Sequence, residues 1–240
     1  MAETIVYRQI PRPDPALIEV LRGIPVADLH DELNAVDRKI RLLSPAIRPI
    51  IEGIRIVGPA VTAFNTPGDN LMMHTALYYA QRGDVLVVSN GGVPNGSLWG
   101  DNASTQAKRN GIVAVIADGP VRDVDGIRKQ GVPVWASIIS VSRPTKALPG
   151  TVNLPIACGG VIVSPGDIIV ADSDGVIVVP ASEARRVADA ARARIARDQA
   201  MQAAIERGST LFEQIGCEAA LQKLGAVIHD KAWQGPPLSG

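Results

Sequence analysis

The sequence is short of the residues from which many protein sites are built, and each shortage removes a class of function. Its 240 residues include only two cysteines, Cys158 and Cys217, with no CxxC pair, so neither a disulfide framework nor a structural zinc is expected. The three histidines, His30, His74 and His229, stand far apart. A three-histidine metal centre would need all of them, so any metal is expected to be held by oxygen ligands. No run approaches the roughly 20 apolar residues of a membrane helix. The opening MAETIVYRQIPRPDPALIEV lacks a cationic stretch leading into an apolar one. No membrane partner is expected, and the expected location is cytoplasmic. Neither sign of charge is in excess, since Lys+Arg and Asp+Glu both number 24, so nucleic acid is not an expected partner either. The glycines of NGGVPNGSLWG are not followed by Gly-Lys-Ser/Thr, which argues against a phosphate-binding loop.

What remains is a folded chain of ordinary composition, 46% hydrophobic and 20% charged, long enough for one sizeable domain or a domain with an appendage. Residues 1–24 read as an arm ending in a turn, and VADLHDELNAV places Val26, Leu29, Leu33 and Val36 at helical spacing. IRIVGPAVTAFNT reads as a strand whose Gly-Pro suits an edge or a bulge. Helix and strand then alternate over 68–136, the pattern of parallel βαβ units. From 137 to 180 the chain is β-rich, with DSDG as a hairpin turn. After Pro180 a long helix is expected, with Ser182 as its N-cap and Gly208 as its stop, followed by a second helix over TLFEQIGCEAALQKLG. This divides the chain into an arm (1–24), a core (25–180) and C-terminal helices with a tail (181–240), all of one domain. The arginines of SEARRVADAARARIARD are interspersed with acids, as on a solvated or intersubunit helix.

Two polar clusters follow glycine-bearing turns at the ends of apolar strands, NGGVPNGSLWGDNAS and IVAVIADGPVRDVDG. They place Asp101 twenty residues before the pair Arg122-Asp123. An arginine can hold a carboxylate through two parallel hydrogen bonds, and a carboxylate can hold a hard divalent cation. The bland alternative is a helix cap and a surface ion pair. Asp118, in ADGP, reads as a turn former, and His74 and His30 as packed, satisfied rings. Trp99 reads either as a lid over a ligand or as a packing residue. Lys108, beside Arg109, reads as a solvated face rather than a Schiff-base lysine.

PGDNLMMHTAL, GDVLVV, the acid-X20-Arg-Asp arrangement and PVWASIISVSRPTKALPGTVNLPIACGGVIVSPGDIIVADSDGVIVVP together resemble the RraA-like family over roughly residues 25–205. Within it they are most similar to the class II 4-hydroxy-4-methyl-2-oxoglutarate/4-carboxy-4-hydroxy-2-oxoadipate aldolases. The resemblance implies an α/β fold of the swivelling β/β/α kind with C-terminal helices, assembly as a homotrimer or homohexamer, and Mg²⁺ or Mn²⁺ between subunits. It also implies release of pyruvate from 4-hydroxy-2-keto diacids, with oxaloacetate decarboxylation as a second activity. By that resemblance Arg122 binds the 2-keto acid, Asp123 ligates the metal and Asp101 holds metal-bound water. The backbone amides of Asn102 and Ala103 contact the substrate, and a neighbouring subunit donates an acid, Asp198 or else Glu206. Gly100 and Trp99, which adjoin them, are further candidate substrate contacts read from position. Such aldolases commonly carry Glu at the position of Asp101, and their C-terminal segment differs from ERGSTLFEQIGCEAALQKLG. The family's namesake, which binds and inhibits ribonuclease E, has Gly at the position of Asp101, so a non-catalytic regulator is the second expectation. Methyl transfer, a label long attached to such sequences, lacks the glycine-rich strand-turn-helix it would need.

Overall fold

The structure, a computed structural model, describes residues 3–37, 41–233 and 235. After a short strand β1 (Ile5–Val6), the expected arm contains a helix, α1 (Pro15–Leu21). Asp14 accepts the Ala16 N–H at 2.9 Å, and proline takes the first helical position, where its missing N–H costs nothing. The preceding stretch is tied down by an ion pair between Arg12 and the fully buried Asp84. Helix α2 (Val26–Asp37) buries Val26, Leu29 and Leu33 as its spacing predicts, while the Val36 side chain lies outside the described residues.

A strand β2 (Arg48–Pro49) leads to β3 (Ile56–Asn65), ten residues that are almost all buried. Here the structure departs from the expected edge strand or bulge, because β3 is paired on both sides. Proline is tolerated because Ala60 directs both its N–H and its carbonyl toward residues 166 and 167. The nitrogen of Pro59 therefore faces the other side, where the ladder begins only with Ala60 opposite Val85.

The alternating region follows as α3 (Leu71–Tyr79), β4 (Val85–Ser89), α4 (Asp101–Asn110), β5 (Ala114–Val121), α5 (Val124–Gln130) and β6 (Val134–Ile139). Asp118 lies inside β5 instead of forming a turn. The register shifts between Ala117 and Pro120, and the Asp118 carboxylate accepts the Gly159 N–H at 2.8 Å. The β-rich stretch becomes β7 (Gly150–Val152), β8 (Ile156–Cys158), β9 (Val161–Val163), β10 (Ile168–Ala171) and β11 (Val176–Val179), the last two joined as a hairpin at DSDG. The long helix α6 (Ala184–Glu206) starts two residues after Ser182, which lies in a turn, and ends just before Gly208. The expected second helix is two, α7 (Leu211–Gln214) and α8 (Cys217–Lys223). Gly216 between them adopts φ +72°, outside the right-handed helical region.

Strands β3, β4, β5 and β6 are parallel, with β7 and β10 antiparallel to β3 on its far side and β2 closing the β6 edge. Successive residues of the central strands face opposite cores. Leu86, Val88, Val115 and Ala117 pack beneath the helices, while Val85, Val87, Ala114 and Ile116 pack against β8 to β11. Both faces are covered, so these strands read as unbroken apolar runs instead of alternating ones. This is the expected β/β/α layering. The chain divides into two compact units within α6, residues 1–193 and 194–240.

Candidate active site

Parallel strands present ligands at their C-terminal ends, and the two polar clusters stand at the ends of β4 and β5. Their twenty-residue spacing is the length of one helix and its return strand: α4 leaves from Asp101, β5 comes back, and Arg122 follows its last residue, Val121. The loop before α4 then lies along the end of β5. Leu98 N–H donates to the Pro120 carbonyl at 2.7 Å, and Arg122 N–H donates to the Trp99 carbonyl at 3.0 Å. Two glycine turns far apart in sequence are thereby brought side by side.

Close approach at this junction requires residues without side chains. A Cβ on Gly100 would stand 2.9 Å from Asp123 Oδ2, and one on Gly126 would stand 2.5 Å from Asp101 Cβ. Gly126 of α5 thus sets how closely α5 packs on Asp101 of α4. Gly126→Ala should destabilise the protein by about 1–3 kcal/mol through overpacking and displace the Asp101 carboxylate. Chemical denaturation and turnover measured on the same variant check both effects.

Asp123 adopts φ 57° and ψ 41°, the left-handed region, one of only two positive-φ non-glycine residues among those described. That conformation costs on the order of 1 kcal/mol or more and is maintained where the surrounding structure fixes it. Its carboxylate lies 3.3 Å from Arg122 Nε, and both side chains are a little under half exposed. This contact leaves the terminal guanidinium nitrogens of Arg122 for a ligand. Asp101, the first residue of α4, accepts the Asn102 N–H at 2.6 Å, so that amide is already engaged. The Ala103 N–H, at the third helical position, has no intrahelical acceptor and sits at the positive end of the helix dipole.

A cavity of about 300 Å³ opens here. Trp99, Gly100, Asp101, Asn102, Ala103, Arg122 and Asp123 all line it, so the sequence candidates converge, except for Asp198. Asp198 belongs to the 194–240 unit, on α6, with its carboxylate 3.8 Å from Arg194 Nε one turn earlier; Glu206 ends the same helix. The Trp99 indole is buried in the core and donates to Ser104 Oγ at 2.8 Å. Lys108 is exposed on α4, as its solvated reading requires.

Four polar or charged residues that sequence reasoning did not single out as ligands also line it: Asn70, His74, Arg143 and Lys146. His74 is half-buried. Burial, reinforced by the charge of Lys146 and opposed by Asp69, holds its pKa below the ordinary histidine value and keeps the ring neutral at pH 7. His30, by contrast, is 3.0 Å from Asn34 Nδ2 within α2, the satisfied ring that was expected. The available signal for the missed cations was SRPTK after β6, two cations flanking a proline on a strand-end loop.

Among the described residues no three His, Cys, Asp or Glu side chains converge as a metal cage. Two carboxylates at one cavity suit a hard cation that keeps several of its own waters, as Mg²⁺ and Mn²⁺ do, and not one that needs nitrogen or sulfur ligands.

A family model described as Aldolase/RraA matches residues 26–178. The chain belongs to the RraA-like family. A Halalkalibacterium halodurans protein named "Putative 4-hydroxy-4-methyl-2-oxoglutarate aldolase" is 35% identical over 188 residues, 78% of this chain and 88% of that protein. Among solved structures, an uncharacterized protein from Pseudomonas syringae has a TM-score of 0.77 at 27% identity, covering 87% of this chain and 97% of that one. Streptomyces coelicolor RraAS2, described as an unusual member of the RNase ES inhibitor RraA protein family, has a TM-score of 0.71 at 29% identity. That match covers 82% of this chain and 100% of RraAS2. RraA-like proteins therefore include relatives named as aldolases and a relative named for ribonuclease inhibition, and this chain resembles both. No helix among the described residues is long and apolar enough to cross a membrane.

Proposed function

We propose that this RraA-like chain is a divalent-cation-dependent carbon–carbon lyase. It releases pyruvate from 4-hydroxy-4-methyl-2-oxoglutarate-type 4-hydroxy-2-keto diacids and also decarboxylates oxaloacetate. The observation that carries the reading is the convergence of Asp101, Arg122 and Asp123 on one cavity at the ends of adjacent parallel strands. The aldolase names of its relatives agree with it.

Both reactions break a bond to the carbon next to a ketone and leave its electron pair on pyruvate as an enolate. Asp123 would hold Mg²⁺ or Mn²⁺ directly and Asp101 through a water, with a further acid, Asp198, donated by a neighbouring copy in a homotrimer or homohexamer. When bound, the cation acts as a Lewis acid toward the 2-keto oxygen, a contribution of several kcal/mol. Arg122 takes the carboxylate beside the ketone through its free terminal nitrogens and places a fixed positive charge where negative charge develops. The Ala103 N–H adds a donor for the same anion. Asp101, at the helix start, would accept a proton from a water as that water takes the proton of the 4-hydroxyl and the C3–C4 bond breaks, and would return it through the same water to C3 of the enolate.

The test is pyruvate release from oxaloacetate and from 4-hydroxy-4-methyl-2-oxoglutarate, with Mg²⁺ or Mn²⁺ and then with EDTA. Turnover of at least one substrate, lost on chelation and restored by the cation, is expected. Turnover of neither, or turnover indifferent to chelation, overturns the reading. The second reading, a regulator that binds ribonuclease E-type machinery, draws on the likeness to RraAS2. Retention of a ribonuclease by a catalytically silent protein would favour it. The intact Asp101 argues for the enzyme.

A further inference from the structure

The cavity has more cationic lining than a keto acid's single carboxylate can use. Arg122 serves the end near α4 and α5. Arg143 and Lys146 line the same cavity from the segment between β6 and β7, and among the described residues neither has an ion-pair partner. The charge of Lys146 reaches the half-buried His74 on the α3 wall, so both belong to the side of the cavity that α3 forms.

The segment bearing these cations is fixed to an unusual degree for a surface loop. At one end, Ser97 N–H donates to the Ser142 carbonyl at 2.9 Å, and Gly96 N–H donates to Ser142 Oγ at 2.9 Å. At the other, the Asp69 carboxylate, 1% exposed, accepts from Thr145 Oγ1 at 2.7 Å, Ala147 N–H at 2.6 Å and Leu148 N–H at 3.1 Å. Its second oxygen accepts the Leu71 N–H at 2.8 Å, which ties the segment to the start of α3. Burial raises the carboxyl's pKa, but these four hydrogen bonds outweigh burial and hold it below the usual carboxylate value. The Ser142 contacts thus fix the backbone just before Arg143, and a single buried charge fixes it on both sides of Lys146.

A second polar group in the cavity lacks a partner. Asn70 is 6% exposed; its Nδ2 donates to the Ser97 carbonyl at 3.2 Å, while its Oδ1 has no donor. Buried acceptors are rarely left so, and a hydroxyl on a bound ligand would supply one.

We propose that Arg143 and Lys146 form a second anion subsite, which selects 2-keto acids carrying another carboxylate at the far end of the chain, and that Asp69 positions it. The inference rests on the reading that Arg122 holds the keto-acid end. In a 4-hydroxy-2-keto diacid the distal carboxylate lies three carbons beyond the ketone and stays attached to the second product, so a cationic clamp can hold it throughout cleavage. In oxaloacetate the second carboxylate must leave as neutral CO₂, which a cationic clamp on it would oppose. Arg143 and Lys146 therefore tune the site toward bond cleavage in longer diacids.

Equilibrium binding tests this apart from turnover. 2-Oxoglutarate and 2-oxopentanoate have the same chain length and keto-acid end, neither carries the 4-hydroxyl needed for aldol cleavage, and only the first has a distal carboxylate. Calorimetric titration with Mg²⁺ present should show the wild type binding 2-oxoglutarate about tenfold more tightly or better, as two exposed cations on one carboxylate allow. In the Arg143→Ala/Lys146→Ala double variant that ratio should fall to about threefold or less. Lys146→Arg, which keeps the charge but removes the amine, should preserve it. Asp69→Asn should lower it partway, with 4-hydroxy-4-methyl-2-oxoglutarate KM rising more than kcat falls. Absence of preference in the wild type, its survival in the double variant, or failure of 2-oxoglutarate to bind would overturn the subsite. Preferential binding with no turnover of any substrate would leave the subsite standing and remove the lyase reading instead.

Discussion

Replacing Arg122 with alanine should lower pyruvate-forming turnover by about 10²–10³-fold, the usual loss when one preorganised positive donor is removed from a developing oxyanion. The fold should be unaffected, because the side chain is about 40% exposed and its ion pair among the described residues is with Asp123, itself about 45% exposed. Arg122→Lys should recover little. The guanidinium engages Asp123 through Nε, which leaves its terminal nitrogens for the proposed keto acid, and an ammonium at the end of a flexible stem cannot do both. Steady-state kinetics beside a thermal unfolding curve decides the matter. An inactive variant with an unchanged melting temperature fits the assignment, whereas near-wild-type turnover would remove Arg122 from the chemistry.

Gly100→Ala should lower turnover by about 10²-fold while changing stability by less than about 1 kcal/mol. The added methyl would stand 2.9 Å from Asp123 Oδ2 and 3.7 Å from Arg122 Cγ. What gives way is the carboxylate, whose end is free to swing into solvent at little cost in folding free energy. Its new position no longer matches a cation or a keto acid held by Arg122, and a displacement of about 1 Å at a reacting centre is enough for a loss of this size. Gly100 is in extended backbone, φ −164°, so the effect tests contact and not backbone strain. Loss of stability with retained activity would mean that Asp123 serves the fold rather than the reaction.

Much of the fold was legible because its signals are local. The buried runs VLVVS and AVIADGPV, separated by a helix with a glycine stop, can hardly form anything other than adjacent parallel strands. DSDG closes a hairpin because its residues suit the turn. The departures occur where pairing decides. GPAV reads as an edge until a neighbouring strand begins only after the proline, and ADGP reads as a turn until the Gly159 amide claims the Asp118 carboxylate inside β5. Asp14-Pro15 and Gly216 are local signals as well, a helix cap inside the arm and a break inside the expected second helix.

The site divides along the same line. By itself the sequence determined the acid-X20-Arg-Asp set, because one helix and its return strand bring residues 101 and 122 to the same sheet edge whatever surrounds them. The tertiary structure alone decided what faces that set. Arg143, Lys146, Asn70 and His74 reach the cavity from other segments, and Asp69 fixes the loop that carries the two cations through hydrogen bonds spanning 76 to 79 residues. Backbone geometry ties residues within one strand-helix-strand unit to each other. Nothing in a linear pattern records which distant loop a single buried carboxylate holds in place.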